Sequence, residues 1–304
     1  MFLAGDIGGT NCRYALFDGQ RLHHVRTWAT SQSSGLKEDI ERYRKEVGIG
    51  FERACVAVAG PIYGAQVSLT NAHWRGDLQE FPCPAVWVND LLAAIQGIPL
   101  AECSRLLGPE PTNGLRVALG IGTGFGQALG VLEQAFAAEG GHASYAPNTS
   151  IELELWDFLQ QRMARVRVED VCSGRGMENI LDFLSFKHDV RIDRTHPAGW
   201  LLGTQHAEHE LFAEGLDLFL SSLGSVIGDT ILRILPTGGI WLCGGVAQKM
   251  KPHFSRPSFI EALHSKAPMQ KLVANTPIML VEEPDVGLLG AGYIAQKELG
   301  DFHA

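Results

Sequence analysis

The sequence lacks a block of consecutive basic residues, and acidic groups outnumber basic ones by 34 to 25, a formal net charge of −9. Broad electrostatic attraction to nucleic acid or anionic lipid is therefore not expected. Cysteine is sparse and scattered: Cys12, Cys55, Cys83, Cys103, Cys172 and Cys243 show neither zinc-knuckle nor redox-pair spacing. Free thiols in a reducing cytosol are the simplest reading. No Gly-Lys pair occurs, which excludes a Walker A loop. The longest apolar stretch, Leu211 to Leu235, is broken by Glu214, Asp217, Asp229 and Arg233, so it reads as a core helix and not a membrane span. No basic region precedes the strand-like Phe2-Leu3-Ala4, and a signal peptide is not expected.

What remains is an ordinary globular balance, 45% apolar and 19% charged over 304 residues. Phe2–Ala4, Arg13–Phe17 and the stretch from His23 to Trp28 read as strands, with a turn at Asp18-Gly19. Leu36, Ile40, Tyr43 and Val47 mark one face of a helix, capped by Ser33 or Ser34 and ended by Gly48. Ala54–Ala59 and Ala85–Val88 suit strands buried on both faces, and a helix is expected from Leu91. Further strands are expected at Gln127–Leu132, Ile240–Cys243 and Ile278–Val281, with a closing helix over Gly287–Ala295. The alternation predicts an α/β protein. The opening around Ala4–Thr10 is echoed at Leu119–Gly124: apolar strand, glycine-rich reversal, strand. That echo suggests a duplicated architecture. The stretch from Phe186 to His206 reads as a surface loop. His188, His196, His206 and His209 match no zinc spacing and read as solvated loop residues.

Several segments could carry chemistry. In Gly5-Asp6-Ile7-Gly8-Gly9-Thr10-Asn11, the paired glycines let backbone N–H groups approach a phosphate, and Asp6 is a hard oxygen ligand suited to Mg²⁺, directly or through water. A plain hairpin with an Asp cap is the alternative. Gly120–Gly126, containing Gly122, Thr123 and Gly124, is a second phosphate-loop candidate that fails the G-x-G-x-x-G spacing. Asn89-Asp90 ends a buried strand, where Asp90 could accept a proton from a hydroxyl or simply cap the next helix. Glu139 and His142 flank two glycines and offer acceptor and donor groups to a polyol. Glu169 could be an exposed helix residue.

Taken in order, these motifs resemble the bacterial glucokinase family, hexokinase relatives within the actin-like ATPase superfamily. The matching segments are Gly5–Asn11, Ala59-Gly60-Pro61-Ile62, Leu69–Trp74, Asn89-Asp90, Gly120–Gly126, Glu139–Asn148, Glu169 with Ser173-Gly174, Gly244-Gly245 and Gly287–Gly290. The resemblance implies a two-domain, ribonuclease H-like α/β fold with duplicated mixed sheets flanked by helices and the active site in the cleft. It implies a smaller domain of residues 1–100 plus 285–304 and a larger one of residues 101–284 carrying the sugar-binding loops. Asp90 is then the catalytic base, and Asn89, Glu139, His142 and Glu169 are sugar ligands. Gly8, Gly9, Thr10 and Asn11 form the first phosphate loop, Gly122, Thr123 and Gly124 the second. Gly244 and Gly245 make the adenosine-side turn, and Asp6 organises Mg²⁺.

Ala143-Ser144-Tyr145-Ala146 follows His142 where the repressor–kinase relatives carry a Cys-rich zinc motif, so ATP and Mg²⁺ are expected as cofactors and zinc is not. The implied activity is ATP-dependent phosphorylation of glucose to glucose 6-phosphate, at the entry to glycolysis, by a cytoplasmic homodimer with no nucleic-acid or membrane partner. The alternatives are a kinase for another hexose or amino sugar, an actin-like ATPase, or a sugar-sensing protein.

Overall fold

A computed structural model describes residues 1–60, 62–69, 73–190 and 210–297. Pro61, Thr70, Asn71 and Ala72, the expected loop from 191 to 206, and His196, His206 and His209 lie outside the described residues. In chain order come β1 (Phe2–Ile7), β2 (Asn11–Phe17), β3 (Leu22–Ala29), α1 (Leu36–Val47), β4 (Arg53–Val58), β5 (Ile62–Tyr63), β6 (Gln66–Ser68), β7 (Arg75–Asp77), β8 (Ala85–Asn89) and α2 (Asp90–Gly97). Next are β9 (Cys103–Leu107), β10 (Arg116–Ile121), β11 (Phe125–Val131), β12 (Gln134–Ala138), α3 (Ser150–Gln160) and α4 (Gly174–Lys187). The chain continues with α5 (Glu210–Ile234), β13 (Gly239–Cys243), α6 (Gly245–Met250), α7 (Pro257–His264), α8 (Gln270–Ala274), β14 (Ile278–Val281) and α9 (Val286–Gln296).

The chain divides into two compact units. One holds Met1–Cys103, Ala128–Ala137 and the residues from Glu283 onward; the other holds Ser104–Gln127 and Ala138–Glu282. A five-stranded sheet in the order β3-β2-β1-β4-β8 organises the first unit. β1 pairs antiparallel with β2 and parallel with β4, and β4 pairs parallel with β8. A six-stranded sheet runs β12-β11-β10-β13-β14-β9, with β10, β13 and β14 parallel. Leaving aside β9, the two orders match strand for strand, which is the duplication the glycine-rich echo suggested.

The two faces of the first sheet are packed differently, because side chains alternate along each strand. Leu3 and Ile7, Tyr14 and Leu16, Ala54, Val56 and Val58 meet Leu36, Ile40 and Tyr43 of α1. The opposite face carries small residues, Ala4, Ala15, Cys55 and Ala57, against Leu92 of α2 and Leu288, Ala291 and Ile294 of α9. Small side chains there let two helices approach the sheet closely. Those helices also touch each other backbone to backbone: a methyl group at Gly290 would strike the Ala93 carbonyl, and one at Gly97 the Val286 carbonyl. Gly97 of α2 and Gly290 of α9 are thus a packing requirement.

Two local expectations need correcting. Neither Ser33 nor Ser34 caps α1. Its N-cap is Gly35, without a side-chain cap bond, because Ser33 Oγ accepts the Gly35 N–H and Ser34 bonds forward to the Glu38 carboxylate. His188 is solvated, as expected, but it belongs to the end of a helix and not to a separate loop. It sits at the C-cap of α4 with Nε2 2.9 Å from Glu214 of α5. The expected loop also starts too early, since α4 runs through Lys187. The sequence reading missed β9, β12 and the three-stranded sheet β5-β6-β7.

α5 is long and apolar enough by composition to cross a membrane, yet 72% of its apolar window is buried inside the protein. Phe219, Leu220, Leu223, Ile227 and Ile231 are fully buried, as expected of a core helix.

Asp39 of α1 ties the first unit together. It is 1% exposed and accepts three hydrogen bonds: from Tyr14 Oη at 3.1 Å, Trp28 Nε1 at 2.8 Å and Trp74 Nε1 at 2.9 Å. Burial, followed by the Asp39 charge, pushes the Tyr14 phenol well above its ordinary range, so it remains a donor. Asp39→Ala would strand three buried donors, each costing about 1–3 kcal/mol. The expected loss is about 3 kcal/mol or more of unfolding free energy, read from the denaturant midpoint. A loss below about 1 kcal/mol would contradict this role.

Candidate active site

In the first unit, the parallel register aligns Ile7, Val58 and Asn89 across β1, β4 and β8. Strand spacing then puts the ends of β1 and β8 about 10 Å apart, two strand widths. Beyond β1, the turn Gly8–Asn11 is held from behind. Gly8 N–H donates to Asn11 O (2.9 Å), Thr30 Oγ1 donates to Gly8 O (2.8 Å), and Thr30 N–H donates to Thr10 O (2.9 Å). The carbonyls of Gly8, Thr10 and Asn11 are therefore engaged by the protein. A side chain at Gly9 would meet nothing within 4 Å, so the loop faces open space.

Asp6 stands one residue before the end of β1. Burial raises its carboxyl above the usual carboxylate range; Arg13 pulls it down and Asp285 pushes it up. Arg13 is engaged elsewhere, with Nη1 3.2 Å from Pro284 O and 3.4 Å from Asp285 Oδ1. The first turn of α9 lies beside Asp6, with the Cβ direction of Gly287 pointing to Oδ2 at 3.3 Å. No group of three or more His, Cys, Asp or Glu side chains able to hold a metal occurs among the described residues. A single desolvated carboxylate next to a glycine loop fits a cation that draws most of its ligands from phosphates and water, as Mg²⁺ does.

At the end of β8, Asn89 caps α2, its Oδ1 accepting from Leu91 N–H (3.0 Å) and Leu92 N–H (3.2 Å). The capping role considered for Asp90 thus belongs to Asn89. Asp90 opens the helix, one residue earlier than expected, with Oδ1 2.8 Å from the Leu91 N–H.

In the second unit, β10 and β13 run parallel with Gly120 opposite Cys243, so their glycine turns emerge side by side. The turn at Gly122–Gly124 repeats the logic of the first loop. Gly122 N–H donates to Gly124 O (3.0 Å), and the start of α4 donates back, Gly174 N–H to Gly122 O (2.8 Å) and Arg175 N–H to Thr123 O (3.3 Å). Gly244 has φ +96°, and a side chain there would lie 2.6 Å from Ile121 O. Only glycine satisfies both conditions. Gly245 then begins α6.

Glu139, His142 and Glu169 are brought together. The segment after His142 pairs with the one before Glu169: Tyr145 N–H to Val166 O (3.0 Å) and Val168 N–H to Ala143 O (2.9 Å). His142 Nε2 stands 3.7 Å from Glu139 Oε2, and its Nδ1 stands 3.6 Å from Glu169 Oε1. Glu169 is not the exposed helix residue considered above. It lies in a short 3-10 turn with a side chain only 13% exposed. Its Oε2 lies 3.1 Å from where a Gly124 side chain would begin, which links the carboxylate to the second glycine loop. Sequence reasoning passed over Arg167. It donates from Nε and Nη2 to buried Asp170 (2.9 and 2.7 Å), and its Nη1 forms an ion pair with Glu169 Oε1 (2.6 Å). Alternation in Arg165-Val166-Arg167-Val168 was the available signal.

Behind these groups, Glu152 is 1% exposed and anchors the following segment. It accepts from Asn148 N–H (2.7 Å), Thr149 N–H (3.3 Å) and Ser221 Oγ (2.7 Å). With Thr149 it forms the capping box of α3.

Duplicated sheets of one strand order, each with a glycine turn after its leading strand, are found in the sugar kinases of the actin-like ATPase fold, the class to which the solved structures similar to this chain belong. The Glucokinase family model matches residues 3–298. A glucokinase of Chromohalobacter salexigens is 33% identical over 310 residues, covering 95% of each chain. A glucokinase structure from an Antarctic psychrotroph has 27% identity and a TM-score of 0.83, covering 98% of this chain and 99% of that one. A ROK family glucokinase from Streptomyces griseus, solved with glucose and AMPPNP, shares the fold at 16% identity and a TM-score of 0.68, covering 98% and 99%. The chain belongs to the glucokinase family.

The desolvation of Asp6 has a measurable sign. Its folded pKa lies above the unfolded value, so ionised Asp6 opposes folding at neutral pH, and that penalty disappears as pH falls below the unfolded value. Asp6→Asn should raise the Tm at pH 7 in metal-free buffer, with the gap to wild type closing in acid. Arg13 keeps its Asp285 and Pro284 partners in that variant. A lower Tm at pH 7 would contradict the assignment.

Proposed function

We propose that the protein transfers the γ-phosphoryl group of ATP to the 6-hydroxyl of D-glucose, with Asp90 as the general base. The observation that carries this reading is the gathering of Glu139, His142 and Glu169. Residues thirty positions apart in sequence put an imidazole within 3.7 Å of a carboxylate on either side. Carboxylates accept from neighbouring hydroxyls and a neutral imidazole both donates and accepts, which suits a polyol.

The roles divide between the expected smaller domain (residues 1–100 with 285–304) and the expected larger domain (residues 101–284). Glu139, His142 and Glu169 hold sugar hydroxyls on the larger. On the smaller, Asn89 uses Oδ1 as a helix cap and offers its amide NH₂ to the sugar. Asp90 takes the proton of the hydroxyl as the O–P bond forms. Phosphoryl transfer passes through a loose transition state, so positioning and charge neutralisation dominate, and a carboxylate of ordinary basicity suffices.

Gly8, Gly9, Thr10 and Asn11 bind phosphate through peptide N–H and side-chain donors, as do Gly122, Thr123 and Gly124; the carbonyls of Gly8, Thr10, Asn11, Gly122, Thr123 and Gly124 are engaged inside the protein. Gly244 and Gly245 form the turn against the adenosine. Asp6 would hold Mg²⁺ directly or through water, and the bound ion neutralises phosphate charge. The family resemblance further supports a cytoplasmic homodimer that feeds glycolysis.

The test is coupled ADP release from Mg-ATP with glucose, mannose, fructose, galactose, glucosamine or no sugar. Glucose should give the highest kcat/KM, with sugar-free release at least 10²-fold slower, since water is a competing acceptor that the site must exclude. A different preferred hexose would correct the substrate, and sugar-independent release would replace the kinase reading with an ATPase.

A further inference from the structure

The sugar-ligand cluster contains a cation that the proposed mechanism does not use. Arg167 reaches three side chains at once. Nε and Nη2 grip Asp170 in a two-pronged pair, with the Asp170 side chain 3% exposed. Nη1 is hydrogen-bonded to His142 Nδ1 at 3.3 Å and forms an ion pair with Glu169 Oε1 at 2.6 Å. Three of the five guanidinium N–H groups are thereby directed in hydrogen bonds. Asp170 fixes the arginine in turn, because its Oδ2 also accepts the Arg167 backbone N–H at 2.8 Å.

This geometry decides the state of the imidazole. A guanidinium has donors and no acceptor, so a hydrogen bond between Nη1 and Nδ1 requires Nδ1 to accept. The competing arrangement, Nδ1–H donating to Glu169 Oε1, spans 3.6 Å, beyond hydrogen-bond length, to an oxygen already taken by Arg167.

We propose that Arg167 is a positioning residue that locks His142 as the Nε2–H tautomer and holds Glu169 by Oε1, leaving Oε2 to accept from the sugar. The sugar oxygen facing His142 must then accept a hydrogen bond, and the hydroxyl facing Glu169 must donate one. Arg167 thus converts two ambiguous groups into a fixed donor–acceptor pattern, the kind that discriminates hydroxyl arrangements. The sugar-binding consequence rests on the proposed kinase function; the tautomer does not.

Two measurements separate them. In ¹⁵N-labelled, sugar-free protein in mildly alkaline buffer, the His142 ring signals are assigned by their loss in His142→Gln. Wild type should show unprotonated Nδ1 and protonated Nε2, and Arg167→Met a mixture of tautomers. Protonated Nδ1 in wild type, or an unchanged tautomer in Arg167→Met, overturns the inference. In steady-state kinetics, Arg167→Met should raise KM for the sugar about tenfold or more, the loss of a charge-assisted hydrogen bond, with kcat within about threefold. Arg167→Lys should recover only part of this, because one ammonium cannot serve three acceptors in the guanidinium geometry. An unchanged KM alongside a shifted tautomer overturns the positioning role. Should Arg167→Met fail to fold because Asp170 is stranded, Arg167→Met with Asp170→Asn removes the uncompensated carboxylate and keeps both readouts. Absence of sugar-dependent turnover in wild type would defeat the proposed function and leave the ring-nitrogen signals to decide the tautomer.

Discussion

The parallel pairing of strands fixes where chemistry can occur in this protein. Neighbouring parallel strands end on the same side of a sheet, and their last residues must leave it through turns or helix starts. In the first unit, β1, β4 and β8 end in register at Ile7, Val58 and Asn89. In the second, β10 and β13 run side by side into Gly122 and Gly244. The ends of β1, β8, β10 and β13 deliver either a glycine turn or the first turn of a helix, both of which present peptide N–H groups to an anion. The same device is made twice because the same strand order is made twice.

Carboxylates divide into two kinds around these ends. Asp39, Glu152 and Asp170 are almost fully buried, and each accepts several hydrogen bonds that pin loops and helix starts. Their burial is compensated, so they act as scaffold. Asp6 is different: desolvation outweighs the attraction of Arg13, and folding keeps it at a cost. A carboxylate held against its own stability is a common mark of function. Arg167 bridges the two kinds, anchored on scaffold Asp170 and reaching Glu169 and His142.

Much of this was legible in the sequence because it depends on local pattern. Short apolar runs, turn signals and the glycine-rich reversals marked β1, β2, β4, β8, β10 and β13, and the ordered motifs pointed to the glucokinase family. What escaped depends on distant partners. β12 is an edge strand of Gln-Ala-Phe-Ala-Ala with weak alternation, and β5, β6 and β7 are two or three residues long, below the reach of periodicity. The cap of α1 looked like serine because Ser33 and Ser34 precede it, but Glu38 and the Gly35 backbone engage them instead. Glu169 looked exposed because nothing nearby in sequence reveals that residues 143–145 pair with residues 166–168. Arg167 was passed over for the same reason, since its partner His142 is 25 residues away.

The central claim is that Asp90, placed at the end of β8 by strand register, is the base that takes the proton of the sugar hydroxyl. Comparing Asp90→Asn with wild type, turnover by ADP release and glucose affinity by calorimetry, tests it most directly. The account predicts an intact fold, glucose affinity within a few-fold of wild type, and turnover reduced on the order of 10²-fold or more. Near-normal turnover in Asp90→Asn would contradict it.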